Sequence, residues 1–233
     1  MHRKEINERS PLRVLEKSIH GGLGRGNVGV VVARHGIGKT AFLVGVGLDD
    51  LMRSKKVFHL SMGQSVDRVC NYYDEILTEL ARERQMEDVW KVRLEVERNR
   101  RIHSVPAAKF SVEKVREVLG FLREYNDFVP TSILIDDVPF EQASHEGLQG
   151  LREIAQELDA ELWMAAVTNR DEERDERGVP EAVARMDSGL DVILSMAHDG
   201  TGVHVVLHKD HDNPNVSDLK LALDPTTMLL VKE

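Results

Sequence analysis

Two clusters in this 233-residue chain have the residue types and spacing to do chemistry. The first is Ala33-Arg34-His35-Gly36-Ile37-Gly38-Lys39-Thr40-Ala41. It follows the apolar run Val28-Gly-Val-Val-Val-Ala33 and opens a second apolar stretch, Phe42-Leu-Val-Gly-Val46. Glycines at 36 and 38 let the backbone approach an anion closely, and the amides of such a turn converge on anionic oxygens at a helix N-terminus. Lys39 adds charge for the outer phosphates, and Thr40 offers a hydroxyl that can ligate Mg²⁺. The strict loop pattern, Gly-x-x-x-x-Gly-Lys-Ser/Thr, has Gly where this chain has Ala33. Against an incidental glycine-rich turn stands the coincidence of strand, both glycines, Gly-Lys-Thr and helix. The second cluster is Asp136-Asp137, which ends the apolar run Ser132-Ile-Leu-Ile135 about a hundred residues later. An acid there can hold Mg²⁺ through its water shell, a role assigned to Asp136. The pair implies binding of a nucleoside triphosphate such as ATP, with residues 33–41 against the nucleotide and Thr40 and Asp136 against Mg²⁺.

These clusters need elements to carry them. Strand-like runs lie at 28–33, 56–61, 101–105, 132–136 and 161–167, with helical periodicity between several of them. Val112, Val115, Leu119 and Leu122 recur at three or four residues behind a capping Ser111; Leu148, Leu151, Ala155 and Leu158 do likewise. Nearly all-apolar strands alternating with amphipathic helices imply a mostly parallel α/β sheet covered on both faces. Runs at 191–196, 203–207, 219–223 and 228–231 read as four closely spaced strands extending that sheet in antiparallel fashion. Residues 1–20 form an N-terminal segment, and 21–233 a single nucleotide-binding domain. The charged stretch 77–101 reads as a solvated helix, with a protein-docking face as the second reading and Arg98, Arg100 and Arg101 at its end. Residues 170–188 read as a mobile surface loop.

Composition bounds the rest. Lys plus Arg number 31 against 40 Asp plus Glu, a net charge of −9, which excludes a generally basic surface. No run suits a membrane span and the N-terminus has no apolar signal core, so a cytoplasmic protein is expected. The single cysteine, Cys70, cannot pair within the chain and reads as buried packing. Among ten histidines, His204 and His208 can share a face, but without a third ligand at typical spacing they do not make a zinc site. Phe58, Trp163 and His59 read as interior strand residues.

The order of motifs resembles the RecA-like motor domain of DnaB-type replicative helicases, with KaiC-like and RadA-like proteins as neighbours. The residues that carry the likeness are Gly21-Gly-Leu-Gly-Arg-Gly26, the loop from Ala33-Arg34 to Thr40-Ala41-Phe42, Leu60-Ser-Met-Gly-Gln-Ser65, Val167-Thr-Asn-Arg170 and Lys209-Asp-His-Asp-Asn-Pro214. The family's own loop also starts Ala-Arg. The likeness runs from about residue 10 to the C-terminus and does not include the helical N-terminal domain of DnaB. It implies a RecA-like core that binds ATP and Mg²⁺ and assembles as a ring or dimer, with Lys209 and His211 reaching a neighbour's nucleotide in trans.

Two departures bear on catalysis. Where the family has a water-polarising Glu, this chain has Gly63, followed by Gln64; where the family has a finger arginine, it has His211. Loss of such an arginine costs on the order of 10³–10⁵ in rate in other phosphoryl-transfer systems. Asp137, directly after Asp136, and Gln64 are the residues available to cover the missing Glu. The expected DNA-tracking loops after Asp137 and Asn169 are rich in carboxylates, so general DNA binding is not expected. The leading expectation is a nucleotide-dependent switch or assembly factor with weak or absent hydrolysis: an ATPase with impaired catalytic residues. The alternatives are an active DnaB- or KaiC-like ring motor, and an interaction module with a relict loop that docks partners through 77–101.

Overall fold

Runs that are apolar on both faces can be satisfied only inside a sheet, and six of them pair in parallel. The computed structural model describes residues 3–169, 171–198, 200 and 202–232; Arg170, part of the likeness above, lies outside them. Strand β1 (Val28–Ala33) is central, between β5 (Glu161–Val167) and β6 (Val192–His198). Beyond β5 lie β4 (Ser132–Val138), β2 (Val57–Ser61) and β3 (Arg100–Ser104). Strands β7 (Val203–Asp210), β8 (Leu221–Leu223) and β9 (Leu230–Lys232) extend the other side in antiparallel fashion, giving the order β3-β2-β4-β5-β1-β6-β7-β8-β9. Of the four C-terminal runs, the first is therefore parallel. The connection 168–191 returns the chain to the amino end of the sheet, where the Asp191 amide donates to Val28 O.

Helices cover both faces. On one face lie α1 (Arg3–Glu8), α2 (Leu12–Ser18), α3 (Lys39–Met52), α4 (Val66–Glu83) and α5 (Val89–Asn99), around a core that includes Phe42, Leu48, Tyr73 and Trp163. On the other lie α6 (Val112–Asn126), α7 (His145–Glu157) and α8 (Glu181–Ala184), over Val30, Val32, Phe58 and Ile133. Ser111 caps α6 as expected, accepting from the Lys114 amide at 3.2 Å. The N-terminal helices add Ile6, Leu12, Leu15 and Ile19 to the first core and are tied to α3. Asn7 donates to Asp49 O at 2.9 Å, Arg13 pairs with Asp49, and Arg53 pairs with Glu16.

Three expectations are corrected. The stretch 77–101 is not one helix: α4 ends at Glu83, the chain turns through left-handed Gln85 and Asp88, and α5 starts at Val89. The break lets Val92 and Val96 reach the same core as Leu77 and Ala81, which one straight helix would carry past it. Arg100 and Arg101 belong to β3 rather than to a helix end, and stack on Tyr73 and Phe128 at 4.5 and 4.8 Å from the ring centroids. Residues 171–188 are anchored, not a free loop, because Val179, Val183 and Met186 are buried in the second core. Cys70 is half-buried, its Sγ beside the Arg100 guanidinium.

His59 sits wholly inside the sheet, its Nδ1 3.1 Å from the Tyr73 hydroxyl. Burial, with a smaller push from Arg100, lowers its pKa from 6.5 to about 3. The unfolded chain takes up this proton near pH 6.5 and the folded one does not until about pH 3. This contribution to stability is thus whole above pH 6.5 and declines as pH falls through that window. Denaturant unfolding at pH 7 and pH 5 is expected to show that His59→Gln loses ~2 kcal/mol less than the native chain over that interval.

Candidate functional site

The site forms at the carboxyl edge of the parallel strands. The chain leaves β1 at Ala33 and turns through Arg34, His35 and Gly36, all exposed apart from the buried Ala33, into α3. Gly36 and Gly38 have φ of +80° and +109°, a region open to glycine without a Cβ penalty. A Cβ at Gly38 would also strike Leu223 of β8, 2.3 Å away, so the antiparallel extension braces the loop from behind. The first amides of α3, at Lys39, Thr40 and Ala41, have no acceptor within the helix. Lys39 is 94% removed from solvent, yet among the described residues no group accepts from its ammonium. A buried ammonium beside open amides is an anion site lacking its anion.

Thr40 and Asp136 meet although 96 residues separate them. The Thr40 hydroxyl donates to Asp136 Oδ2 at 2.6 Å, both groups buried. Gln64, just past β2, donates from Nε2 to Thr40 Oγ1 at 3.0 Å, while its Oε1 is buried with no partner among the described residues. Ser61 and Ser104 hold Gln64: its amide donates to Ser61 Oγ at 3.1 Å, and Ser104 Oγ donates to its carbonyl at 2.7 Å. Sequence reasoning missed both serines, since only the pairing of β2 with β3 brings them to Gln64. Burial, and then the neighbouring Asp137, pushes the Asp136 pKa up to about 6, against the pull of Thr40 and Lys39. A carboxylate destabilised in this way favours a cation beside it.

Asp137 turns out of the strand. Between Ile135 and Val138 the register of β4 against β5 slips, and Asp137 takes φ of +59°, a left-handed conformation costing about 1 kcal/mol in an L-residue. Its Oδ2 lies 2.6 Å from where a Cβ on Gly63 would stand.

The other expected site residues lie elsewhere. Lys209 pairs across the sheet with Ile193 near the amino end of β6, whereas Ala33 is level with Met196. Its Nζ donates to Asp187 O and Oδ2 at 2.7 and 2.8 Å. His211 Nδ1 is 2.9 Å from Asp210 Oδ1, and its Nε2 is 2.9 Å from Leu23 O. Asp210 and the Leu23 carbonyl, ahead of the burial that opposes them, hold the His211 imidazolium, whose pKa is raised overall. Both side chains are thus at the edge away from this chain's loop and engaged within the chain.

The loops after β4 and β5 are stitched together. Asn169 Nδ2 donates to Glu141 Oε1 at 3.4 Å, and Thr168 Oγ1 donates to Glu172 Oε2 at 2.6 Å. Arg185 donates to the carbonyls of Phe140 and Glu141 at 2.8 and 2.7 Å.

Against known proteins, no family model matches the chain, and neither does any curated protein. Among solved structures it is similar to the ATPase domain of a DnaB-family helicase. The TM-score is 0.68 at 18% identity, covering 94% of this chain and 88% of that one. The chain therefore has a RecA-like fold of the DnaB ATPase-domain type, as the order of its motifs implied. Among the described residues no helix is long and apolar enough to cross a membrane.

The stitching has a measurable consequence. Arg185→Ala removes two charge-assisted bonds to the 140–141 carbonyls, and amide exchange across residues 140–144 is expected to rise about tenfold or more while β4 stays protected. Unchanged exchange there would show that Arg185 does not hold the loop.

Proposed function

We propose that this protein binds a nucleoside triphosphate with Mg²⁺ and acts as a nucleotide-dependent switch or assembly factor that hydrolyses slowly. The observation that carries this reading is the buried, unpartnered ammonium of Lys39, set among open amides within reach of the Thr40–Asp136 pair. In this reading the loop amides and Lys39 hold the phosphate oxygens, and the open edge accepts a nucleoside. The donor set also suits a hard cation: a hydroxyl, a carboxylate of raised pKa and the orphaned amide oxygen of Gln64 are all oxygen ligands. When bound there, Mg²⁺ supplies neutralising charge to the β- and γ-phosphate oxygens. Thr40 and Asp136 hold it, and Gln64 yields its bond to Thr40 as they do.

Slow turnover follows from what surrounds this set. No carboxylate extends from position 63, and Lys209 and His211 are engaged with Asp187, Asp210 and Leu23. A neighbour would have to break those contacts to borrow either residue, so a ring or dimer of this chain gains little charge stabilisation in trans. The carboxylates of Glu141 and Glu172 at the loop edge argue against single-stranded DNA as the partner.

Titration calorimetry with Mg·ATP is expected to give saturable binding that Lys39→Ala weakens about tenfold or more. Absence of binding by the native chain near physiological salt would refute the reading. Fluorescence anisotropy with a single-stranded oligonucleotide is expected to show no salt-sensitive association at micromolar protein; tight binding would favour the ring-motor alternative.

A further inference from the structure

The space beside Gly63 is occupied from the opposite wall of the cleft. A side chain at 63 would have to start 2.6 Å from Asp137 Oδ2, so the missing Cβ there is what admits this carboxylate. Asp137 reaches it through a slipped register and a left-handed backbone, a local strain that nothing in the packing of β4 requires. Its backbone amide donates to Asp136 Oδ1 at 3.0 Å, but among the described residues no group donates to its own carboxylate. The walls around it are Gly63–Gln64 on one side and Asp136 on the other, and Gln64 and Asp136 both bond Thr40 in the first turn of α3. A free carboxylate aimed at the phosphate end of the cleft can accept a proton.

We infer that Asp137 is the general base for the protein's slow hydrolysis, working from β4 in the space that Gly63 leaves open after β2. This rests on the nucleotide-binding reading above. A water held against Asp137 attacks the γ-phosphorus and a new P–O bond forms. The bond from that phosphorus to the β–γ bridging oxygen breaks, its electron pair staying with the nucleoside diphosphate. The water's proton passes to the Asp137 carboxylate and is then released with inorganic phosphate. Lys39 stands on the side where negative charge accumulates.

The test has three arms. In the nucleotide-free protein, Gly63→Ala is expected to lower the melting temperature by several degrees, and Asp137→Gly to abolish that penalty in the double variant. Additive effects would refute the shared space. In binding, the native chain is expected to hold ADP with aluminium fluoride at least tenfold more tightly than ADP alone. Asp137→Asn should lose that difference while keeping its affinity for Mg·ATP within about threefold. In single-turnover hydrolysis, Asp137→Asn is expected to fall ~100-fold, the lower range for a lost general base, and Gly63→Glu/Asp137→Gly to recover at least tenfold over Asp137→Gly. Native-like turnover in Asp137→Asn, or equal aluminium fluoride binding, would overturn the inference. A native chain that binds no Mg·ATP would instead refute the nucleotide reading, and the melting arm would still report on the shared space.

Discussion

A buried hydrogen bond from Thr40 to Asp136 ties the start of α3 to the end of β4, and the rest of the site is arranged around it. The two residues sit on strands that are not neighbours, since β5 lies between β1 and β4. Only a helix that leaves β1 and crosses the sheet face can close that gap. The glycines at 36 and 38 turn the chain sharply enough for α3 to start at Lys39, and the apolar faces of α3 and the strands hold it down. Once the pair is made, Lys39, the loop amides and Gln64 fall into one small volume.

The same geometry concentrates electrostatic conflict. Asp136 and Asp137 are adjacent carboxylates, the first buried and pushed up to about 6, and the nearest ammonium has no anion to neutralise. Each imbalance is costly in isolation, and each is relieved by a ligand carrying phosphates with a divalent cation. Strain is placed where that ligand would sit, in the left-handed turn of Asp137. By contrast, Lys209 and His211 are satisfied within the chain at the far edge of the sheet. Charge is left open on one edge and closed on the other.

Most of the fold was legible from local pattern. All-apolar runs cannot be anything but interior strands, so the positions of β1, β2, β4 and β5 and the helices between them followed from periodicity. Errors arose where distant contacts override local preference. The charged stretch 77–101 looked continuous because its apolar positions are sparse, yet Val92 and Val96 need a break near Arg84 to meet the core. Residues 171–188 looked like loop because polar residues dominate, while three apolar anchors hold them down. The parallel direction of β6 was not encoded in its own residues; it depends on where the preceding connection ends.

For the site, residue type and spacing were enough to pick out Gly36, Gly38, Lys39, Thr40 and Asp136, because phosphate and cation chemistry demands those groups right after strands. The absence of a side chain at 63 could also be read along the chain, but only as a loss. That the gap at Gly63 is filled by Asp137, that Ser61 and Ser104 steady Gln64, and that Lys209 and His211 are held away from the loop all depend on strand order and register. Those are properties of the assembled sheet: a one-residue shift in pairing turns every side chain to the other face, and no local stretch of sequence specifies it.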